Sequence, residues 1–353
     1  MSERKMATIR KIAEVRAIPE ADLICAYRVD GWWIVDQVGK YKVDDLVVYA
    51  EPDSWVPHDL APFLSKGHDP RVYNGVKGEK LRTVRLKKQL SQGLLLPLDH
   101  FEDGRPFISA NTEGDPVGTL HVVEEGDEVT ELLGIQKWEA PIPANMAGVI
   151  KGNFPSRIPK TDQERIQNLP KEFEFWKEQK FTWSVSEKCE GSSLTAYLIE
   201  GEFGVCSRNL DLKEDENNTM WKTALRYDLK NKLLALNRNL AIQSEILGPG
   251  IQGNIYQLKD HMLAVFDVFD IDAQEYLYPT DKKLLIEQLG LTSVPVLYSA
   301  YDLFDKTMSD LLLFTEGKSV MGATGCEREG LVFDCNECHV SFKVVSNRYL
   351  LKQ

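Results

Sequence analysis

The pattern of apolar residues changes in kind between about residue 137 and residue 180, and that change constrains the architecture more than any single motif. Before it, apolar and β-branched residues cluster in short runs: Ala7–Val15, Leu23–Val29, Trp32–Val38, Leu46–Ala50, Lys80–Leu86 and Gly93–Pro97. Glycine, proline and aspartate separate them, which is how short strands joined by turns read. Within the change, Pro141, Pro143, Pro155 and Pro159 interrupt the periodicity, and polar helical stretches come next at Thr161–Leu169 and Lys171–Glu178. Beyond it, strand patterns at Phe181–Glu187, Ser193–Leu198, Phe203–Ser207, Leu240–Ile246 and Met262–Ile271 mix with helical ones at Asn218–Leu236 and Asp281–Leu289. Two closing strands, Gly330–Phe333 and Val340–Val345, complete the pattern.

A chain of 353 residues is long enough for two cores. The expectation is two domains: an N-terminal all-β domain over 1–140, a linker with entry helices over 141–178, and a C-terminal α+β domain over 179–353. The N-terminal strand spacing, with an irregular insert near His58–Ser65, fits a five-stranded OB-type barrel, whose open face often takes nucleic acid.

A net charge of −12 argues against coating nucleic acid by bulk electrostatics, so any contact with it must be local. Lys77, Lys80, Arg82, Arg85, Lys87 and Lys88 offer such a patch. An edge strand guarded by lysines reads the same way. No apolar run is long enough to cross a bilayer, and Met1-Ser-Glu-Arg-Lys5 does not open a signal peptide, so a cytoplasmic protein with no membrane partner is expected. Six irregularly spaced cysteines point to reduced thiols. Cys335-Asn-Glu-Cys338-His339 fits a plain hairpin turn or half of a zinc site, for which only Cys326 offers a further cysteine nearby.

The chemistry centres on Ser186-Glu187-Lys188-Cys189-Glu190-Gly191, where a lysine ends a strand and a glycine turns the chain back. A lysine attacks a phosphate only when deprotonated, which burial and neighbouring cations promote. Alone, this segment also describes a surface lysine before a turn. Its weight comes from the ordered residues downstream of it: Arg208 after a strand, Glu245 near the end of one, Phe266 inside one, Glu329 opening one and Lys343 inside the last. Carboxylates can hold magnesium, cations can neutralise phosphate, and an aromatic ring can sandwich a base.

In this order the residues resemble motifs I, Ia, III, IIIa, IV and V of the covalent nucleotidyltransferases, and most closely those of RNA ligases of the Deinococcus and Naegleria type. Motif I is Lys188-Cys-Glu190-Gly191, Ia is Ser207-Arg208-Asn209, and III is Ser244-Glu245-Ile-Leu-Gly-Pro249. Motif IIIa is Phe266-Asp267-Val-Phe269, IV is Glu329-Gly330-Leu-Val-Phe333, and V opens at Phe342-Lys343. The resemblance implies an OB module followed by a ligase adenylylation domain. It also implies ATP and Mg²⁺ or Mn²⁺ as cofactors, and RNA or an RNA/DNA duplex with a nick or break as partner of a monomeric enzyme. Lys188 would take AMP, Glu187 would read the adenine amino group, and Phe266 would stack on the ring. Arg208 would contact phosphate or ribose, Glu245 the ribose, and Lys343 the α-phosphate, while Glu190 and Glu329 would hold metal and Gly191 would shape the nucleotide-binding turn.

Two departures stand out: Glu190 where this family more often has aspartate, and Val345 where a second lysine often stands. Arg82, Arg85, Lys87 and Lys88 would face nucleic acid, and Arg165 in the linker is a further contact candidate. A DNA ligase or a capping-type nucleotidyltransferase would carry an OB domain after motif V, where only Ser346–Gln353 remain. A non-catalytic OB-fold RNA-binding protein would have no need of Lys188, Glu245, Glu329 and Lys343 together.

Overall fold

The computed structural model describes residues 5–98, 123–138, 148–322 and 325–352. The chain divides into two compact units, Ser2–Pro141 and Ile142–Gln353. The first is built from short strands. They are β1 (Ala7–Lys11), β2 (Glu14–Ile18), β3 (Ala21–Val29), β4 (Trp32–Gln37), β5 (Leu46–Ala50) and β6 (Ser54–Pro57). Next come β7 (Arg71–Tyr73), β8 (Val76–Lys80), β9 (Val84–Leu86), β10 (Gln89–Ser91), β11 (Leu94–Leu96) and β12 (Gln136–Lys137). Sheets β1-β5-β11, β2-β3-β4, β9-β10 and β12-β6-β8-β7 are all antiparallel.

Alternation explains why β5 and β11 read as unbroken apolar runs, for both faces are buried. Val48, Ala50, Leu94 and Leu96 join one apolar cluster with Ile9 and Val56. Val47, Tyr49 and Leu95 join another with Tyr27, Trp32 and Ile34. Two expected runs are divided. Ala7–Val15 breaks at Ile12, whose N–H donates to Asp45 while that of Ala13 donates to Arg28, so the chain leaves β5 and joins β3. Lys80–Leu86 breaks between β8 and β9, because Leu81 turns its N–H to Ser54 and buries its side chain.

The second unit holds β13 (Ile150–Asn153), β14 (Glu164–Arg165), helix α1 (Pro170–Glu178), β15 (Thr182–Lys188), β16 (Ser192–Ile199), β17 (Glu202–Cys206) and β18 (Leu210–Leu212). It continues with helices α2 (Thr219–Arg226) and α3 (Leu229–Leu236), β19 (Leu240–Leu247), β20 (Met262–Asp270) and β21 (Glu275–Tyr276). Last come α4 (Pro279–Gln288), β22 (Val296–Asp302), α5 (Met308–Thr315), β23 (Gly330–Cys335), β24 (Ser341–Val345) and α6 (Asn347–Leu350). One sheet runs β13-β18-β17-β16-β19-β20-β21, and the other β14-β24-β23-β15-β22.

Trp221, Leu229, Leu233 and Leu285 from α2, α3 and α4 share one core with Leu194, Ile242 and Val265 of the larger sheet. In the smaller sheet, Phe342 stacks on Trp176 at 5.4 Å and on Phe333 at 4.8 Å, with Trp183 edge-on at 4.9 Å. This aromatic block clamps β15, β23 and β24 together, and these are the strands that lead to Lys188, Glu329 and Lys343.

Two helical expectations are corrected. Asn218–Leu236 is two helices, broken where Asp228 takes φ 53°, which brings Leu229 and Leu233 into the sheet core. Thr161–Leu169 is not helical as a whole: Glu164–Arg165 pairs in parallel with β24, and a short 3-10 turn comes after it at Ile166–Asn168. The strand β22 and the helix α5, capped by a reciprocal Thr307–Asp310 pair, went unanticipated. No helix among the described residues is long and apolar enough to cross a membrane.

Candidate active site

β15 delivers Lys188 opposite Gly330 of β23, directly after Glu329. The Lys188 ammonium donates to Glu329 Oε1 at 2.5 Å. Residues 189–191 then turn the chain into β16. A Cβ on Gly191 would collide with the Ile246 carbonyl and stand 2.7 Å from Glu245 Cγ, so only glycine lets this turn lie flat on β19. The Gly191 N–H lies close enough to the Glu245 carboxylate to favour its charged form, and the Glu190 N–H donates to the Tyr256 hydroxyl at 2.8 Å. Arg208 reaches Asp162 at 2.7 Å. Phe266 sits half-buried in an apolar cluster with Cys189, Tyr256 and Met321.

The electrostatics differ from the sequence expectation in one respect. Burial alone would push the Lys188 ammonium down, but Glu329 and Glu245 outweigh it and hold it above its ordinary value, Arg208 opposing weakly. In this state the nucleophile keeps its proton. Burial also lifts the Glu190 carboxyl, against a hydrogen bond from Tyr349. It pushes Glu245 up to about 8, although Lys188 and Arg208 pull the other way.

The lifted Glu245 makes stability depend on pH. Between its ordinary value of 4.5 and about 8 the folded chain binds more protons than the unfolded one, so stability falls as pH rises across that window. Glu245→Gln is expected to flatten this loss, read as a smaller drop in urea midpoint between about pH 5 and about pH 9. An unchanged drop would assign the pH dependence to other groups.

Other candidates are placed differently. Lys343 on β24 lies opposite Val332, which lies opposite Ser186, so it stands two strands from β15 and beside Arg165 of β14. Val345, opposite Gly330, is buried and leaves no second lysine on this strand. Glu187 is 1% exposed, and its carboxylate accepts from the Ser319 hydroxyl and from the Val320 N–H at 3.0 Å. Both oxygens are thereby engaged by the segment that covers them. Arg165, the linker candidate for a substrate or nucleotide contact, is 5% exposed.

In the first unit, Arg82, Arg85, Lys87 and Lys88 are exposed, whereas Lys80 is drawn to Asp53 at 3.1 Å and over Trp138 at 3.9 Å. Lys87 and Lys88 form the turn of the β9–β10 hairpin with φ of 46° and 68°. Cys335–His339 forms the turn between β23 and β24, with His339 directed to Glu275 at 3.4 Å and packed on Tyr278.

Sequence reasoning missed Asp162, Tyr256, Ser319 and Val320, which hold Arg208, the Glu190 turn and Glu187. It also missed Lys282, whose ammonium lies 3.1 Å from Asp267 and 2.6 Å from Asp334. None carries a local signature; each becomes visible only as a partner.

Among the described residues, no group of three or more His, Cys, Asp or Glu is placed to hold a metal by itself. Around Lys188 the donors are the carboxylates of Glu190, Glu245 and Glu329. These are hard oxygen ligands of the class magnesium and manganese prefer, ions that complete their shells with water and substrate phosphate.

A family model for RNA ligase matches residues 181–345, and one for an OB-fold domain matches residues 6–98. No curated protein matches. Among solved structures, a lysine-to-methionine mutant of Naegleria gruberi RNA ligase with AMP and Mn is 41% identical, covers 99% of each chain and superposes with a TM-score of 0.86. A lysine-to-alanine mutant of the same protein with ATP and Mn is 41% identical over 99% of each chain, TM-score 0.85. Its form with PPi is 41% identical, covers 99% of this chain and 98% of that one, and has a TM-score of 0.83. The order of motifs, the carboxylates gathered about a strand-end lysine and these likenesses over both units agree, and the chain belongs to the RNA ligase family, with an OB-fold domain ahead of its nucleotidyltransferase domain.

Proposed function

We propose that this protein seals breaks in RNA with ATP through a covalent intermediate on Lys188. The observation that carries this reading is the Lys188–Glu329 contact at 2.5 Å, with Glu245 and Arg208 close enough to act on the same ammonium. Lys188 Nζ attacks the α-phosphorus of ATP, a nitrogen–phosphorus bond forms, and pyrophosphate leaves. The AMP then passes to a 5′-phosphate end. A 3′-hydroxyl attacks that activated end, and AMP departs as the strand closes.

Glu329 keeps Lys188 aimed and protonated until its negative charge is engaged elsewhere. Bound Mg²⁺ or Mn²⁺, held by Glu329 and Glu190, would supply positive charge that favours the neutral amine and offsets charge on the phosphates. Arg208 is positioned to bind phosphate once released from Asp162, and Phe266 offers its face to the base. Lys343 would contact the α-phosphate, Gly191 and Glu245 would shape the ribose side, and Glu187 would steady the turn from beneath. Nicked RNA or an RNA/DNA duplex is the substrate we favour, for a monomer working in the cytoplasm. Incubation with α-labelled ATP, GTP and NAD⁺ in parallel tests the first step. Label from ATP alone supports it, and none from any nucleotide on folded, AMP-free protein refutes it.

For the OB-fold domain, Lys87 and Lys88 support a nucleic-acid surface. A two-residue hairpin turn with positive φ at both positions favours Asn-Gly, and lysines there are strained. Lys87→Asn with Lys88→Gly is expected to stabilise the hairpin by roughly 1 kcal/mol while weakening RNA binding. The slope of log K against log salt should fall by up to about 2, with self-adenylylation unchanged. Unaltered RNA affinity at low salt would remove this turn from the interface.

A further inference from the structure

The sharpest feature outside the ligase site is the thiol pair in the β23–β24 turn. The Cys338 thiol donates to Cys335 Sγ at 2.8 Å. None of the six cysteines is in a disulfide. A disulfide has its sulfurs about 2.05 Å apart, so closure asks for a movement of less than about 1 Å.

The turn that presents the pair is braced rather than loose. The Asn336 N–H donates to the Thr182 carbonyl at 3.0 Å, and the Asn336 amide donates to Thr182 Oγ1 at 2.9 Å and to the Ser299 carbonyl at 3.0 Å. The Glu337 carboxylate accepts from the Thr182 N–H at 2.9 Å and from its hydroxyl at 2.7 Å. The two residues between the cysteines are thus fastened to β15 and β22, and the sulfurs face each other without a search. Cys335 and Cys338 both line a cavity with Tyr278, Pro279 and His339, but Cys335 is only 2% exposed whereas Cys338 is half-exposed. Solvent therefore reaches chiefly Cys338.

We infer that Cys335 and Cys338 form a modification site that closes to an intramolecular disulfide by exchange with a small disulfide of the glutathione class. Cys338, as thiolate, attacks one sulfur of the small disulfide and expels one small thiolate. Cys335 loses its proton to solvent and attacks the Cys338 sulfur of that mixed disulfide, expelling the second. The protein pair loses two electrons and two protons, and the small disulfide becomes two thiols. Burial pushes the Cys335 thiol up to about 12, aided by the Cys338 contact, which makes ring closure the slower step and Cys338 the entry point. The bond ties the turn joining β23 and β24, the strands that carry Lys343 and lie directly after Glu329.

The test uses the full chain, first reduced and freed of reductant, then incubated with glutathione disulfide. It is quenched with an alkylating reagent in denaturant, digested and mass-mapped. Half-exposed Cys326 serves as internal control for oxidant. Once Cys326 has taken up glutathione, the peptide holding Cys335 and Cys338 is expected to lack two hydrogens, carry no alkyl group and no glutathione, and recover both thiols with dithiothreitol. Cys335→Ser should leave a stable glutathione adduct on Cys338. Two free, alkylated thiols in the wild-type peptide at that point would overturn the inference. So would a lasting glutathione adduct on wild-type Cys338, which would mean Cys335 does not reach it. Neither readout depends on ligase activity.

Discussion

Lys188→Met is expected to abolish transfer of AMP to the protein while the chain stays folded. Losing a covalent nucleophile lowers the rate by on the order of 10⁶-fold, since no neighbouring group replaces the attacking atom. Around Lys188 the nearest side chains are Glu329, Glu245 and Glu190, which bind charge but cannot form the phosphoramidate. Methionine keeps the unbranched shape of the side chain up to the ε position, and the strand beneath it is held by pairing with β23 and by the Trp183–Phe342 contact. Labelled AMP on denatured protein measures the effect, with a thermal melt for the fold. Sealing of a strand supplied already adenylylated at its 5′-phosphate should persist, because that step does not need the lysine as nucleophile. Label retained on the variant would sink the mechanism; loss of pre-adenylylated sealing in a folded variant would give Lys188 a second role.

Lys282→Met is expected to be the most damaging substitution outside that site. The ammonium is nearly enclosed between Asp267 of β20 and Asp334 of β23, so it joins the two sheets through α4. Burial would lower it, but the two carboxylates outweigh this and hold Lys282 above its ordinary value. Removing one partner of a buried charged group leaves the rest uncompensated and costs about 3–5 kcal/mol. For a unit of this size that corresponds to a fall in Tm of roughly 10 °C. Asp267 comes directly after Phe266 on β20, at the point where the pairing with β19 is bulged, so AMP binding should weaken along with stability. Adding Asp267→Asn and Asp334→Asn should recover part of the loss, because the stranded charges are then gone. A Tm within a degree or two of wild type would show that water reaches the pair and that the network carries little.

Much of the candidate site was legible because its residues lie on or beside strands and succeed one another in a fixed order. Lys188, Glu245, Phe266 and Lys343 could each be placed on a strand by alternation, and Glu329 directly ahead of one. The barrel-like strands of the first unit were legible for the same reason, although breaks at Ile12 and Leu81 were not, since a strand ends where its pairing partner changes. The 161–169 segment misled because its polar residues suit a helix, and only the open edge of β24 made extended pairing preferable.

The amino-acid sequence by itself determined the two-part architecture and the strand and helix periods, and singled out the candidate lysine, because these depend on spacing along the chain. Tertiary structure alone decided that Lys188 is charged at rest, that Glu187 is hydrogen-bonded under Ser319 and Val320, and that Arg208 is held by Asp162. Each is settled by a partner 46 or more residues away in sequence. Protonation and side-chain direction arise from the field and hydrogen bonds at a point in space, which no local pattern specifies.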